Sequence, residues 1–166
     1  MRLYKPAAVV ALALLAAACG KKEEPVMPAA ENAPLSAEAP PAPAVLTDAQ
    51  KASLASLPAP FNTADPEDGR RQFGQCRSCH SITEGGPNMT GPNLWGVYGR
   101  KAATEAGYSY SDGLKAAGWT WDAGKLDAWI KNPRALVPDT KMTFLGVKDD
   151  KRRADIVAFL KLQGGK

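Results

Sequence analysis

The pentapeptide Cys76-Arg77-Ser78-Cys79-His80 constrains the fold of this 166-residue chain more than any other feature. Its two thiols are about one helical turn apart, and His80 follows Cys76 by four positions, so all three side chains share one side of a helical segment. C-x-x-C-H is the pattern in which two cysteines bind a haem covalently and the histidine coordinates its iron. The sequence therefore predicts one haem c, attached through Cys76 and Cys79 and ligated by His80.

Two other kinds of site use a C-x-x-C pair. A structural zinc ion needs four Cys or His ligands, but the chain has only one histidine and three cysteines, and Cys19 stands far from the pair. A redox dithiol of the thioredoxin kind needs a βαβ pattern, which the Gly- and Pro-rich surroundings do not offer. Both alternatives are therefore weaker than haem.

Methionine is the next candidate for the second axial ligand, because His80 is the sole histidine. Met1 and Met27 lie in the N-terminal part of the chain, and Met89 follows His80 by only nine residues, which leaves a short loop to reach the opposite haem face. Met142 is far enough along the chain to reach that face. It is the stronger candidate, with an ordinary core methionine as the alternative.

The first 18 residues have the pattern of an export signal. Arg2 and Lys5 precede an apolar run over residues 7–18, which is shorter than the roughly 20 residues that a membrane-spanning helix needs. Cys19 follows Ala-Ala-Ala, and this junction resembles the lipidation site of bacterial lipoproteins, although Ala16 replaces the usual leucine. We expect an exported protein lipidated at Cys19, with ordinary cleavage as the alternative.

Residues 19–60 have the composition of a flexible tether. They contain eight prolines and no aromatic residue, and so offer little apolar surface to bury. Thr47 and Gln50 form a capping-box pattern ahead of Leu54 and Leu57, which predicts a short helix. We expect that helix to be transient rather than docked.

Residues 61–166 form the predicted folded domain, which is all-α. Asp65-Pro66, Ser111-Asp112, Asp122 and either Asp149 or Asp150 are helix-start signals, and no segment alternates like a strand. About 105 residues make a thin core, which a buried haem would complete. This domain carries a net charge of +4, against +2 for residues 1–18 and −2 for residues 19–60. A basic exported domain favours anionic lipid or acidic redox proteins over nucleic acid as partners.

The domain resembles the class I cytochromes c, most closely those of the mitochondrial and purple-bacterial type. The resemblance rests on residues 76–80, Gly91-Pro92-Asn93-Leu94, Gly99-Arg100, residues 108–110, Trp121, Asn132-Pro133 and residues 138–144. It implies a haem enclosed by N- and C-terminal helices that cross near Gly69, Phe73, Ile156 and Phe159. It further implies a single-haem electron carrier rather than an enzyme.

The same resemblance implies roles for individual residues. Pro92 would accept a hydrogen bond from the His80 imidazole, and Thr140 would neighbour the loop of Met142. A haem propionate would be held by Arg100, Tyr110 and Trp121. Trp129 stands where the family usually has a tyrosine beside the methionine, and Leu114 where an asparagine is common, which changes the hydrogen bonds that tune the potential. A docking ring around the haem edge would include Arg77, Arg134, Lys141 and Lys148.

Together these features predict a lipid-anchored electron shuttle on the periplasmic side of a bacterial membrane, or a soluble periplasmic one if Cys19 is not lipidated. Its expected partners are acidic redox proteins, such as a quinol-oxidising cytochrome complex and a terminal oxidase, with no small-molecule substrate. Two alternatives remain: a haem peroxidase or ligand sensor, which would need an open distal site, and a fixed cytochrome subunit of an oxidase complex.

Overall fold

The structure is a computed structural model that describes residues 45–164. Within these residues the chain forms helices and loops, with one isolated antiparallel bridge between Lys101 and Thr120. The α-helices are α1 (Asp48–Ala55), α2 (Pro66–Gln72), α3 (Asp112–Ala116), α4 (Ala123–Lys131), α5 (Pro133–Leu136) and α6 (Asp150–Leu162). Short 3-10 segments span Phe61–Thr63 and Phe73–Cys76. The predicted all-α fold class is confirmed for the described part of the chain.

The helices begin where the local signals predicted. The Asp65 side chain accepts hydrogen bonds from the first turn of α2, and Ser111 and Asp122 cap α3 and α4 in the same way. Of the two candidates for the last helix, Asp149 is the cap, accepting from the backbone N–H of Arg152 at 2.8 Å. Helix α5 was not predicted. It begins at Pro133 after an Asn132 cap, which is the usual arrangement of a capping side chain followed by proline.

Helices α2 and α6 cross at Gly69. A Cβ atom at this glycine would overlap the backbone carbonyl of Asp155 and lie 2.8 Å from the Cβ of Phe159, so the close approach requires glycine. The rings of Phe73 and Phe159 pack beside the crossing, with centroids 5.3 Å apart. Ile156 is also buried there. The predicted crossing of the N- and C-terminal helices is therefore confirmed.

Helix α1 is docked on this framework rather than transient. Its capping box forms as predicted between Thr47 and Gln50, but Leu54 and Leu57 are 6% and 3% exposed and belong to the hydrophobic core, together with Phe61. Helix α1 packs against α6. We expected a free tether up to residue 60, but the structure shows that its last part is packed on the domain. Two leucines and a phenylalanine supply enough apolar area to hold this part in place.

Other predictions concern residues that the structure does not describe. The signal sequence at 1–18, Cys19 and the tether up to residue 44 lie outside the described residues. Within residues 45–164, no helix combines the length and the apolar composition needed to cross a membrane.

Candidate haem site

The cysteine motif forms a helical turn directly after α2. Cys76 ends the 3-10 segment that follows this helix, and its carbonyl accepts hydrogen bonds from the backbone N–H groups of Cys79 at 3.1 Å and His80 at 3.0 Å. Both thiols are free and partly buried. Burial raises the pKa of the Cys76 thiol to about 11, with a smaller contribution from the nearby Cys79. The segment thus presents both sulfurs and the imidazole from one turn.

The imidazole of His80 is held in one tautomer by the loop that follows it. Its Nδ1 lies 2.7 Å from the carbonyl oxygen of Pro92. A carbonyl can only accept, so Nδ1 carries the proton and the lone pair of Nε2 is available to a metal. Burial lowers the pKa of His80, and the hydrogen bond to Pro92 partly opposes that shift. The neutral ring required for ligation is therefore favoured.

The loop behind His80 depends on two residues that sequence reasoning did not single out for these roles. Gly91 is buried against the ring, and a Cβ atom there would lie 2.6 Å from Nδ1 and 2.8 Å from Nε2. Asn93, which is 3% exposed, donates through Nδ2 to the carbonyls of Thr83 at 2.9 Å and Gly86 at 2.7 Å. Both belong to the segment Gly91-Pro92-Asn93-Leu94, which contributed to the family resemblance but gave no indication of these two contacts.

One cavity of about 240 Å³ is lined by the haem motif and by residues from most of the domain, between Phe73 and Leu160. A single water molecule needs only roughly 10–15 Å³ on this measure, so the space suits a much larger group. The cavity contains all ten predicted cofactor-binding residues: Cys76, Cys79, His80, Pro92, Arg100, Tyr110, Trp121, Trp129, Thr140 and Met142. Its other lining residues include Leu114, Leu126, Phe144 and Leu160. Two thiols, an imidazole, a thioether and apolar walls are the donors and surroundings that a covalent haem needs.

The two candidate methionines have different environments. Met142 lines the cavity and is partly buried, and its backbone N–H donates to the Thr140 Oγ1 at 3.2 Å. Thr140 is 6% exposed and so holds the methionine loop from within the core. Met89 lies at the surface and is 47% exposed. Burial and loop length therefore both favour Met142 over Met89 as the candidate ligand.

Three tryptophans form one wall of edge-on contacts. Trp121, which is 7% exposed, packs against Trp119 and Trp129 with centroid distances of 5.7 and 5.3 Å. The Trp119 Nε1 atom is buried and has no hydrogen-bond partner among the described residues. Trp121 and Trp129 line the cavity, whereas Trp119 does not line it and packs edge-on against Trp121.

Arg100 and Tyr110 both line the cavity, and each also contacts Glu105. The guanidinium of Arg100 forms an ion pair with the Glu105 carboxylate and donates to the carbonyl of Asn93 at 2.8 Å. Burial raises the pKa of Tyr110, and a hydrogen bond to the backbone of Glu105 partly opposes that shift. The sequence offered no signal for Glu105, because its contact with Arg100 is not a helical spacing.

The predicted docking cations are all exposed. Lys141 donates through Nζ to the carbonyl oxygen and Oγ of Ser109, at 2.6 and 3.1 Å, and Lys148 donates to the carbonyl oxygen of Lys131 at 3.0 Å. Arg77 and Arg134 are exposed on the haem motif and on α5. No group of three or more His, Cys, Asp or Glu side chains able to hold a metal ion occurs within residues 45–164.

Comparison with known proteins decides the family. The sequence profile of the Cytochrome c family matches residues 66–163. The chain belongs to the cytochrome c family. It is similar to cytochrome c2 of Rhodomicrobium vannielii, at 42% identity over 105 residues that cover 63% of this chain and 84% of the relative. It is also similar to cytochrome c2 of Rhodoplanes tepidamans, at 46% identity over 96 residues that cover 58% of this chain and 90% of the relative.

A solved structure supports the same membership. Cytochrome cH from Methylobacterium extorquens superimposes with a TM-score of 0.57 at 42% sequence identity, covering 60% of this chain and all of that one. The protein is therefore a class I c-type cytochrome with one covalently attached haem c and the His/Met ligation typical of that class. It is an electron-transfer protein and not an enzyme.

Proposed function

We propose that this cytochrome is a lipid-anchored shuttle that carries single electrons between membrane complexes on the periplasmic side of a bacterial membrane. In this assignment Cys76 and Cys79 hold the haem, and His80 and Met142 ligate its iron. The observation that carries the assignment is that both candidate ligands and both thiols line one cavity. Bound there, a haem supplies an iron that takes up and releases one electron.

The protein's own residues suit a carrier whose two redox states differ little in structure. The Pro92 carbonyl fixes the His80 ring, and Thr140 holds the backbone of Met142. If His80 and Met142 both ligate the iron as proposed, they would leave no coordination position for a substrate or a gaseous ligand, which argues against a peroxidase or sensor. We assign Arg100, Tyr110 and Trp121 to a haem propionate, and Trp129 to the neighbourhood of the methionine.

Replacing Met142 tests this function. We expect Met142→Leu to abolish the weak far-red absorption band that methionine ligation gives to a ferric haem, and to open the iron to carbon monoxide and cyanide. Met89→Leu is the matched control, since Met89 is half-exposed, and it should leave the band unchanged. A wild-type protein that binds carbon monoxide freely under native conditions would contradict the proposal and favour the sensor or peroxidase.

We propose that Arg77, Arg134, Lys141 and Lys148 dock acidic partners such as a quinol-oxidising cytochrome complex and a terminal oxidase. The groups that accept hydrogen bonds from Lys141 and Lys148 are neutral, so these contacts orient the ammonium groups without cancelling their charge. Such a positive face speeds encounter with an acidic partner and makes it sensitive to salt.

Salt-dependent turnover tests the docking face. Lys141→Gln and Lys148→Gln should slow electron transfer to purified partner complexes at low salt, with a weaker salt dependence than in the wild type. Lys51→Gln on α1 is the control, because Lys51 pairs with Asp48 outside the proposed face. Stoichiometric purification of the cytochrome with an oxidase at every salt concentration would instead favour a fixed subunit.

We further propose that residues 1–18 are a cleaved signal sequence, that Cys19 is lipidated, and that the tether runs from there to helix α1. A flexible tether would keep the haem domain at high effective concentration near membrane partners. Mass spectrometry of the mature protein tests this directly. We expect one haem, an N-terminus at Cys19 and covalent acyl chains; an unmodified N-terminus would favour a soluble periplasmic carrier.

A further inference from the structure

The ion pair between Arg100 and Glu105 stands out in the cavity wall. The side chains of the two residues are 21% and 22% exposed. Within residues 45–164, the other hydrogen bonds that the Arg100 guanidinium donates go to the backbone carbonyls of Asn93 at 2.8 Å and Trp95 at 3.3 Å. Glu105 is therefore the acidic group that balances the charge of an arginine in the cavity wall.

Glu105 also meets the neighbouring Tyr110. The backbone of Glu105 hydrogen-bonds the phenol of Tyr110, while its side chain holds Arg100. One residue thus contacts two of the three side chains that we assign to a haem propionate. Each of those two side chains is a hydrogen-bond donor suited to an anionic carboxylate.

We propose that Glu105 is a positioning residue that lowers the reduction potential of the haem by neutralising and restraining Arg100. The inference rests on the proposed function, since it requires a haem in this cavity. Reduction adds one electron, so a nearby positive charge favours the reduced state and a nearby negative charge opposes it. Because the pair is about four-fifths buried, solvent and salt screen this effect less than at an exposed site.

The test compares two matched Glu→Gln variants of the holoprotein. Glu105→Gln removes the carboxylate beside Arg100. Glu67→Gln removes a carboxylate on α2 whose side chain has a similar exposure of 23% and pairs with Arg70 at 3.0 Å. Glu67 does not line the cavity. We expect spectroelectrochemical titration to show a higher midpoint potential for Glu105→Gln than for the wild type, with little change for Glu67→Gln. Equal shifts in the two variants would overturn the proposal.

A second variant separates charge from packing. Glu105→Asp keeps the negative charge on a shorter side chain, and we expect its potential to stay closer to that of the wild type than the potential of Glu105→Gln. If Glu105→Asp and Glu105→Gln shift the potential equally, the residue acts through loop structure alone and the proposal fails. Thermal unfolding of each holoprotein measures any loss of packing independently.

The outcome is distinguishable from a failure of the proposed function. If the wild-type protein lacks haem or the far-red band of methionine ligation, the proposed function fails before any variant is compared. If both are present and Glu105→Gln leaves the midpoint potential unchanged, only the role of Glu105 fails.

Discussion

The side chain of Asp155 accepts a hydrogen bond at 2.8 Å from the backbone N–H of Asp65, ninety residues earlier in the chain. Asp155 lies in the middle of α6 and is fully buried, whereas Asp65 caps the start of α2. A second oxygen of Asp155 accepts from the Nζ of Lys151 at 2.7 Å. This buried carboxylate therefore joins the first turn of one crossing helix to the centre of the other.

Asp155→Ala should destabilise the holoprotein by about 1–3 kcal/mol, because it removes the buried carboxylate that accepts from the backbone N–H of Asp65. Asp155→Asn keeps an acceptor oxygen and should cost less. Denaturant unfolding followed by far-UV circular dichroism measures both free energies. Equal losses in the two variants would show that the hydrogen bond to Asp65 is not what stabilises the crossing.

Gly69→Ala should disrupt the α2–α6 crossing. The added methyl would overlap the Asp155 backbone, and we expect a loss of about 1–3 kcal/mol or more, as in other overpacked cores. Gly74→Ala is the control, because a Cβ atom there has no neighbour within 4 Å among the described residues. That variant should be neutral or slightly stabilising, since alanine costs less backbone entropy. Similar losses for both would contradict the steric explanation.

Leu57→Ala should destabilise the domain by about 2–5 kcal/mol if α1 is part of the folded unit. Leu57 is 3% exposed, whereas Val45, near the start of the described residues, is 90% exposed. Val45→Ala is therefore a control expected to have almost no effect. Unfolding midpoints in guanidinium chloride measure the difference. An unchanged midpoint for Leu57→Ala would restore the view of residues 47–57 as a free tether.

Asp150→Asn should reveal a pH-dependent contribution to stability. A hydrogen bond from Arg153, and then the charge of Arg153, hold the pKa of the Asp150 carboxyl below its ordinary value of 3.8. A carboxyl whose pKa is lowered on folding stabilises the protein above that ordinary value, and this contribution is lost as the pH falls through the folded pKa. The variant should be less stable than the wild type at pH 7, with the difference closing below about pH 3.8.

Unfolding curves measured from pH 7 into the acid range test that expectation. Arg153, whose side chain is 3% exposed, also pairs with Asp127 and donates to the carbonyls of Val147 and Lys148. These partners remain in the variant, so the fold should persist. A stability difference that stays constant with pH would mean that the substitution acts through helix capping or packing instead.

Local signals account for most of what could be predicted. A capping side chain and the N–H groups that it binds lie within three residues of one another, so Asp65, Ser111 and Asp122 mark helix starts without knowledge of the fold. Docking of α1 could not be predicted in this way. A capping box reports that a helix can begin, but whether Leu54 and Leu57 become buried depends on the surface that α6 presents to them.

The amino-acid sequence by itself determined the covalent haem motif, the single histidine available to ligate the iron, and the cytochrome c family, because each depends on residue identity and short spacing. Only the tertiary structure decided that Glu105 pairs with Arg100, that neutral carbonyls hold Lys141 and Lys148, and that the folded unit includes α1. Those contacts join residues whose spacing along the chain follows no helical or strand period, so a sequence pattern does not reveal them. They form only when packing brings the partners together and removes water from between them.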